Sequence, residues 1–482
     1  MNYKMMGRFM AQILAIEGVF MMPALALCLW DGTQGAALGF ACAIVLDAFL
    51  SAALWLTCRS SPSAFYARDG LVCVGASWIV LSLIGCLPFW ISREIPLYID
   101  AFFEIVSGFT TTGSSILPHV EALSRGLLYW RSFSHWLGGM GVLVFLLAFT
   151  GGKGQGFTMH LLRAESPGPN VGKLVPKMRN TASILYVLYI ALTMLDFLFL
   201  IAGRMPVFDA ICTALGTAGT GGFGIKNDSI ASYSPYLQNV TTVFMALFGV
   251  NFSCYYLLLL RQWKSVFGDE ELRLYLLLIF GSIALITLNL GGFYPTLAET
   301  VRHAAFQVST IITTTGFATT DFDLWPAFSK SILVFLMLVG ACAGSTGGGL
   351  KCARLLLLIK NLGRNIQQTI RPRKVQMVRT NGQTVDEKVL ANADAYLAAY
   401  VIIIFLSFMV ISLDNFSFGT NFTAVLACFN NIGPGLEAVG PTCNFAAYSP
   451  LSKLVLCFDM LAGRLEIFPM LALMSPTVWK KR

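Results

Sequence analysis

Long apolar segments recur along the chain, near residues 8–30, 36–57, 71–92, 127–150, 182–203, 237–261, 272–291, 329–358, 394–414 and 451–478. Each approaches the roughly 17–25 apolar residues that a helix needs to cross a bilayer. The pattern predicts about ten membrane-spanning helices and an all-α, polytopic membrane protein. An even number of spans places both termini on the same side of the membrane. The first segment follows a short basic start, Lys4 and Arg8, and runs to Trp30. Ala24-Leu25-Ala26 resembles a signal-peptidase site, but the run is as long as a full span, which favours a retained helix.

Between certain spans lie apolar stretches too short to cross: 100–112, 209–221, 303–315 and 420–432. A helix of about 13 residues reaches roughly 20 Å, two-thirds of the hydrocarbon thickness. The four stretches share a register. One runs from Asp100 to Thr110-Thr111-Thr112-Gly113 and the next from Asp209 to Gly219-Thr220-Gly221-Gly222. The third runs from His303 to Thr313-Thr314-Thr315-Gly316, and the fourth from Thr420 to Asn430-Asn431-Ile432-Gly433. A polar first residue and a final glycine keep the same offset in every copy. The chain therefore divides into an appended helix pair, 1–70, and four tandem repeats of span, half-helix, turn and span. The expected repeats cover 71–180, 181–271, 272–393 and 394–482, arranged about a pseudo-fourfold pore.

A turn at membrane depth leaves backbone carbonyls without partners, which is tolerated only where the backbone is buried or lines a watery cavity. Four such turns around one axis give a ring of oxygens able to replace an ion's hydration shell. The expected filter residues are Thr111, Thr112 and Gly113; Thr220, Gly221 and Gly222; Thr314, Thr315 and Gly316; and Asn431, Ile432 and Gly433. Glycine allows positive φ and close approach of backbone to a bare ion, and Thr111, Thr112, Thr314 and Thr315 add hydroxyl oxygens. Asp100 and Asp209 are expected to cap their half-helices, whose partially negative C-terminal ends then face the ion path. Hard, neutral oxygens suit an alkali cation.

Composition agrees. Hydrophobic residues make up 56% of the chain and charged residues 12%, against about a quarter charged in soluble domains. The net charge of +8 raises nucleic acid as a partner, but its distribution reports topology instead. One face of the topology collects Lys4 and Arg8, Arg59 and Arg68, the segment from Lys153 to Arg179, and Arg261, Lys264 and Arg273. It also holds the long basic stretch from Lys351 to Lys388 and the tail Lys480-Lys481-Arg482, about 24 of 33 basic residues in all. The positive-inside rule makes that face cytoplasmic. The cysteines lie mostly in apolar runs with no Cys-x-x-Cys, and none of the four histidines makes a close pair suited to zinc. No nucleophile–base pair or carboxylate dyad suggests an enzyme, and no cofactor is expected.

The run Gly340-Ala-Cys-Ala-Gly-Ser-Thr-Gly-Gly-Gly-Leu-Lys351 interrupts the second span of the third repeat with more glycine than a continuous helix tolerates. It misses the phosphate-loop pattern because Leu350 separates Gly349 from Lys351, and no strand precedes it. A pore-lining break, acting as a mobile obstruction below the filter, is the reading adopted for Gly344, Ser345, Thr346, Gly347, Gly348 and Gly349. Arg464, deep in the last span, faces an interior partner such as Glu466, snorkels, or lines an aqueous path. Asp196 and Asp459 are also within spans, as satisfied structural polarity or as a cation route.

The series Thr111-Thr-Gly-Ser, Thr220-Gly-Gly-Phe, Thr314-Thr-Gly-Phe and Asn431-Ile-Gly-Pro resembles the four pore loops of the bacterial Trk/Ktr potassium-transporter superfamily. The extra N-terminal pair is similar to the TrkH/TrkG branch; Gly224 departs from it, standing where relatives often carry serine. The resemblance implies potassium uptake, with K⁺ as the transported ion, across the bacterial inner membrane, and the glycine-rich loop as gate with Arg464 opposite it. It also implies a homodimer in the lipid bilayer and a cytosolic nucleotide-binding regulatory subunit of the TrkA type on the basic face. Both channel-like flux and symport with H⁺ or Na⁺ stay open, and an H⁺- or Na⁺-coupled secondary transporter of a small solute is the alternative. Deleting Ala341 to Gly348 is predicted to raise rubidium flux into proteoliposomes, whereas unchanged or lost flux in a folded protein would count against a gate.

Overall fold

A computed structural model of the chain describes residues 2–58, 67–139, 141, 178–373 and 376–479. Six of the expected spans are continuous helices or nearly so. They are α1 (Tyr3–Trp30), α2 (Gln34–Thr57), α3 (Ala67–Gly85) with its short extension α4 (Leu87–Ile91), α7 (Met178–Ala202), α11 (Glu270–Asn289) and α15 (Glu387–Ile411). Their outer faces carry Val45, Phe49, Leu277, Phe280, Phe405 and Leu406, all exposed, as lipid-facing helices require.

The other four crossings are not the uninterrupted spans that hydropathy suggests. α6 (Arg125–Gly139), α9 (Pro235–Phe248), α13 (Ala327–Val339) and α17 (Pro450–Arg464) each stop part-way. A break was foreseen in the third alone. After α9 the chain turns through 89° into α10 (Phe252–Leu259). After α13 comes the glycine-rich loop and then α14 (Cys352–Ile370); after α17 comes a turn and α18 (Phe468–Met474). The continuation of α6 toward residue 150 lies outside the described residues. A glycine sits at or next to every inner end, at Gly139, Gly249, Gly340 and Gly463, where close backbone packing leaves no room for a side chain. A methyl group on Gly249 would lie 2.3 Å from the Tyr275 hydroxyl, and one on Gly463 would lie 1.8 Å from the Phe429 carbonyl oxygen.

The short half-helices are α5 (Tyr98–Phe109), α8 (Val207–Gly219), α12 (Leu297–Ile312) and α16 (Phe418–Phe429). Each second span packs on the half-helix of the following repeat: α6 on α8, α9 on α12, α13 on α16, and α17 on α5. The last contact closes the circle, so four tandem repeats surround one axis. The appended pair packs outside the circle, α1 against α2, α3 and α6. Asp100 and Asp209 do not cap their half-helices, because these begin earlier, at Leu97 and Pro206, with no side-chain cap. Asp100 pairs with Lys453 at 2.6 Å and Asp209 accepts the Tyr233 hydroxyl at 2.8 Å. Thr296 and Ser417 do cap α12 and α16.

Gly126 lets α6 press on α1: a methyl group there would meet Cys28 Sγ at 2.2 Å and the Ala24 carbonyl oxygen at 2.8 Å. Overpacking of this kind costs about 1–3 kcal/mol. Gly126→Ala is therefore expected to lower the melting temperature in detergent. Gly281→Ala, whose methyl group meets nothing, should leave it unchanged or raise it through helix propensity.

Candidate functional site

The four half-helices end on four turns that share an uncommon backbone. Thr111, Thr220, Thr314 and Asn431 have φ of 56°, 52°, 57° and 54°, and the glycines two residues on, Gly113, Gly222, Gly316 and Gly433, have φ of 80°, 73°, 87° and 100°. Positive φ at a threonine is sterically unfavourable and persists only where surroundings impose it. The turns are held by bonds back to their own helices: Thr112 N–H to the Ser107 carbonyl, Gly221 to Gly216, Thr315 to Thr310 and Ile432 to Ala427, all between 2.8 and 2.9 Å.

The turns meet edge to edge. A methyl group on Gly113 would lie 2.1 Å from the Gly221 carbonyl oxygen, and one on Gly222 would lie 1.9 Å from that of Thr315. One on Gly316 would lie 2.2 Å from the Ile432 oxygen, and one on Gly433 2.9 Å from that of Thr112. Each glycine thus abuts the carbonyl of the next turn, and the fourth returns to the first. All twelve residues expected in the filter therefore come together in one ring. Beside it opens a cleft lined by Ser114, Gly224, Lys226 and Pro434 among others.

The hydroxyl groups divide their roles differently from the expectation. Thr112 and Thr315 are braces, each 2.8 Å from the hydroxyl of Thr110 or Thr313. Thr314 Oγ1 accepts the Gly348 N–H at 2.6 Å, so it faces the glycine-rich loop. Thr111 Oγ1 and Asn431 Oδ1 are buried and have no hydrogen-bond partner among the described residues.

The glycine-rich loop lies directly against the inner side of the ring. A methyl group on Gly347 would meet the Thr313 carbonyl oxygen at 2.9 Å, and one on Gly348 that of Asn430 at 2.4 Å. The loop is tied to the bend after α9 by Cys342 N–H to the Gly249 carbonyl and Phe252 N–H to the Gly344 carbonyl, both 3.1 Å. Glu271 accepts the Ala353 N–H at 3.1 Å and the Ala343 N–H at 2.5 Å. Ser345 turns inward, its hydroxyl donating to the Cys342 carbonyl at 2.6 Å. Lys351 is buried with positive φ, and its ammonium donates to the Gly347 carbonyl. Gly349, at φ 78°, packs so closely on Gly340 that a methyl group on it would lie 2.9 Å from the Gly340 Cα.

Arg464 is buried at the end of α17, and its guanidinium donates to the Thr346 carbonyl at 2.8 Å and to those of Gly138 and Gly139 at 2.5 Å. It joins the fourth repeat to the loop of the third and the broken span of the first. Glu466 is not its partner: that carboxylate pairs with Arg354, which also lies over the Tyr396 ring at 3.8 Å. Asp459 accepts the Ser407 hydroxyl at 2.7 Å, and Asp196 is buried within α7.

Sequence reasoning missed the supports behind the ring. Glu104 on α5 accepts from Ser115 and from the Ile116 N–H just beyond the first turn. It pairs with Arg131 at 2.7 Å, and Arg131 donates to the Gly224 carbonyl at 3.2 Å and lies 4.0 Å over the Phe223 ring. One ion pair thus fastens two turns. Glu437 in an outer loop accepts the Thr420 N–H and hydroxyl and the Ser417 hydroxyl, and these bonds, that from Ser417 foremost, hold its carboxyl below the usual range. Nothing local marks these acids in the sequence, since their partners lie far along the chain or in irregular loops.

Half-helices that end on a closed ring of turns, surrounded by helices long and apolar enough to cross a membrane, fit the class of cation transport proteins. Residues 38–481 match the TrkH family, described as a cation transport protein. The Trk system potassium uptake protein TrkH of Salmonella typhimurium is 34% identical over 478 residues, 97% of each chain. The Trk system potassium uptake protein TrkG of Escherichia coli is 34% identical over 432 residues, 88% of each. The crystal structure of the potassium transporter TrkH from Vibrio parahaemolyticus superposes with a TM-score of 0.89 at 30% identity, covering all of both chains. The chain belongs to the TrkH family.

Breaking a buried ion pair by removing one partner costs about 3–5 kcal/mol. Glu104→Ala is expected to lower thermal stability in detergent by that order, more than Asp31→Ala, which breaks the exposed pair with Arg125.

Proposed function

We propose that the chain takes up potassium ions across the bacterial inner membrane, with both termini cytoplasmic. The observation that carries this is the closed ring. Four backbones hold the same two positive-φ positions and present carbonyl edges with no charged side chain among the twelve ring residues. Neutral, closely spaced oxygens can exchange for the hydration shell of an alkali cation. The relatives named as potassium uptake proteins support the choice of K⁺.

The loop from Gly340 to Lys351 acts as the gate. It occupies the inner side of the ring, against Thr313, Thr314 and Asn430, where a permeating ion would have to pass. Arg464 steadies it through Thr346 while placing a positive charge at the same level. Opening then requires the loop to leave both Thr314 and Arg464. A homodimer with a cytosolic nucleotide-binding subunit of the TrkA type is the assembly favoured. Part of the basic stretch is already occupied, since Arg354, Lys360 and Arg364 pair with Glu466, Glu270 and Glu387 of the same chain. Arg371, Arg373 and Arg379 remain exposed for such a partner.

Rubidium uptake into proteoliposomes, competed separately with potassium and sodium, tests the reading. Competition by potassium alone is expected. Gly222→Ser should weaken discrimination by about tenfold or more, since its side chain must displace the Thr315 carbonyl oxygen and that scale corresponds to about 1.4 kcal/mol. Equal competition by sodium in the unaltered protein would remove the selectivity assignment.

A further inference from the structure

We propose that His135 is a positioning residue of the second filter loop. It stands in, as a neutral imidazole, for the side chain that Gly221 lacks. The inference rests on the filter reading given above. In the other three loops the residue before the final glycine carries a buried side chain: Thr112, Thr315 and Ile432. The two threonines brace their loops through a neighbouring hydroxyl. Only the second loop has glycine there, and a methyl group on Gly221 would lie 2.1 Å from His135 Cγ and 2.2 Å from its Nδ1. The imidazole fills the volume that a side chain takes elsewhere.

Its two nitrogens fix its tautomer. Nδ1 lies 2.8 Å from the carbonyl oxygen of Gly108, near the end of the first half-helix. A carbonyl only accepts, so Nδ1 carries the proton. Nε2 lies 3.3 Å from the backbone nitrogen of Phe223, the residue after the second filter glycine. A backbone N–H only donates, so Nε2 keeps its lone pair. The ring is buried, with its centroid 4.2 Å from that of Phe223. Doubly protonated, it would have no lone pair for Phe223, and its surroundings disfavour a further positive charge. Arg131 lies one turn away against the same Phe223 ring, paired with Glu104, and Arg464 reaches the carbonyls of Gly138 and Gly139 on the same helix.

The device belongs to one quadrant. Gly138 and Gly463 hold equivalent places, since a methyl group on either would strike the carbonyl of Phe109 or Phe429, four residues before the filter glycine, at 1.9 or 1.8 Å. Three residues earlier stand His135 and Met460. A thioether has no N–H to donate and is a poor acceptor, and in the fourth repeat Asn431 reaches the Met460 backbone carbonyl instead.

The test is rubidium uptake competed by sodium and potassium, in His135→Ala, His135→Gln, Gly221→Thr and the double variant His135→Ala/Gly221→Thr. His135→Ala is expected to lose about tenfold in discrimination, the weight of one or two hydrogen bonds. His135→Gln, which keeps a donor and an acceptor, should recover part of it. Gly221→Thr alone should be worse than the double variant, in which threonine enters the vacated space. Unchanged discrimination in His135→Ala, or a double variant no better than Gly221→Thr, overturns the proposal. A second measurement stands if a variant fails to fold. With His119, His160 and His303 replaced by glutamine, nitrogen-15 spectra of the remaining histidine should show protonated Nδ1 and unprotonated Nε2 from about pH 5 to 8, the window in which an unperturbed histidine titrates. The opposite tautomer or an imidazolium would overturn it. Failure of the filter reading itself would appear separately, as unaltered discrimination in Gly222→Ser.

Discussion

A peptide group in the hydrocarbon layer has no water to turn to, and each one left without a partner costs several kcal/mol. Continuous helices meet this constraint by themselves. Every departure from helix in this chain must be met by something else, and the departures are therefore gathered in one place. The half-helices end there, and so do the second spans. The carbonyls released by α6 are taken up by Arg464, and the N–H of Gly348 is taken up by Thr314. The same economy that keeps broken backbone away from lipid gathers backbone oxygen atoms at the ring of turns.

The ring is symmetric in backbone and asymmetric in support. All four turns repeat the same φ pattern, and each second span leans on the next half-helix in the same direction. Behind them the quadrants differ. The first and second turns are joined by Glu104, Arg131 and His135, whereas the fourth half-helix is anchored through Glu437 and the first is tied to α17 by Lys453. The loop beneath touches mainly the third and fourth turns. One side of the ring is thus stiffened by buried ionic and imidazole contacts, while the other carries the glycine-rich loop.

Much of this was legible in the sequence because the half-helices repeat in register, so a weak local pattern became a strong one on its fourth occurrence. The glycines that close the four turns were found on the same grounds, and the interruption after Gly340 from its glycine content. The breaks in α9 and α17 were not. Apolar residues resume beyond both, and hydropathy measures burial or lipid contact without reporting the direction of the chain. A lone Gly249 marks the first break only weakly, and the charges beside the turn at Glu466-Ile467, at φ 61° and 64°, were read as an ion pair within a span. The positive φ of Thr111, Thr220 and Thr314 was hidden for a related reason: a β-branched residue suggests extended backbone, and tertiary packing overrides it. Asp100 and Asp209 were misread as caps because the half-helices extend further than their apolar cores, and both acids have side-chain partners distant in sequence instead.

The edge-to-edge closure of the ring has a consequence for how such a chain can change over generations. After a tandem duplication the copies are usually free to drift apart, each under its own selection. Here the floor space of every glycine is the carbonyl of its successor, and the fourth copy answers to the first. A mutation that enlarges one turn is first felt by one neighbour and not by the other, so compensation must arise on a particular side. Divergence can accumulate on the lipid-facing helices, copy by copy, while the inner rim is inherited as a single unit with a sense of rotation.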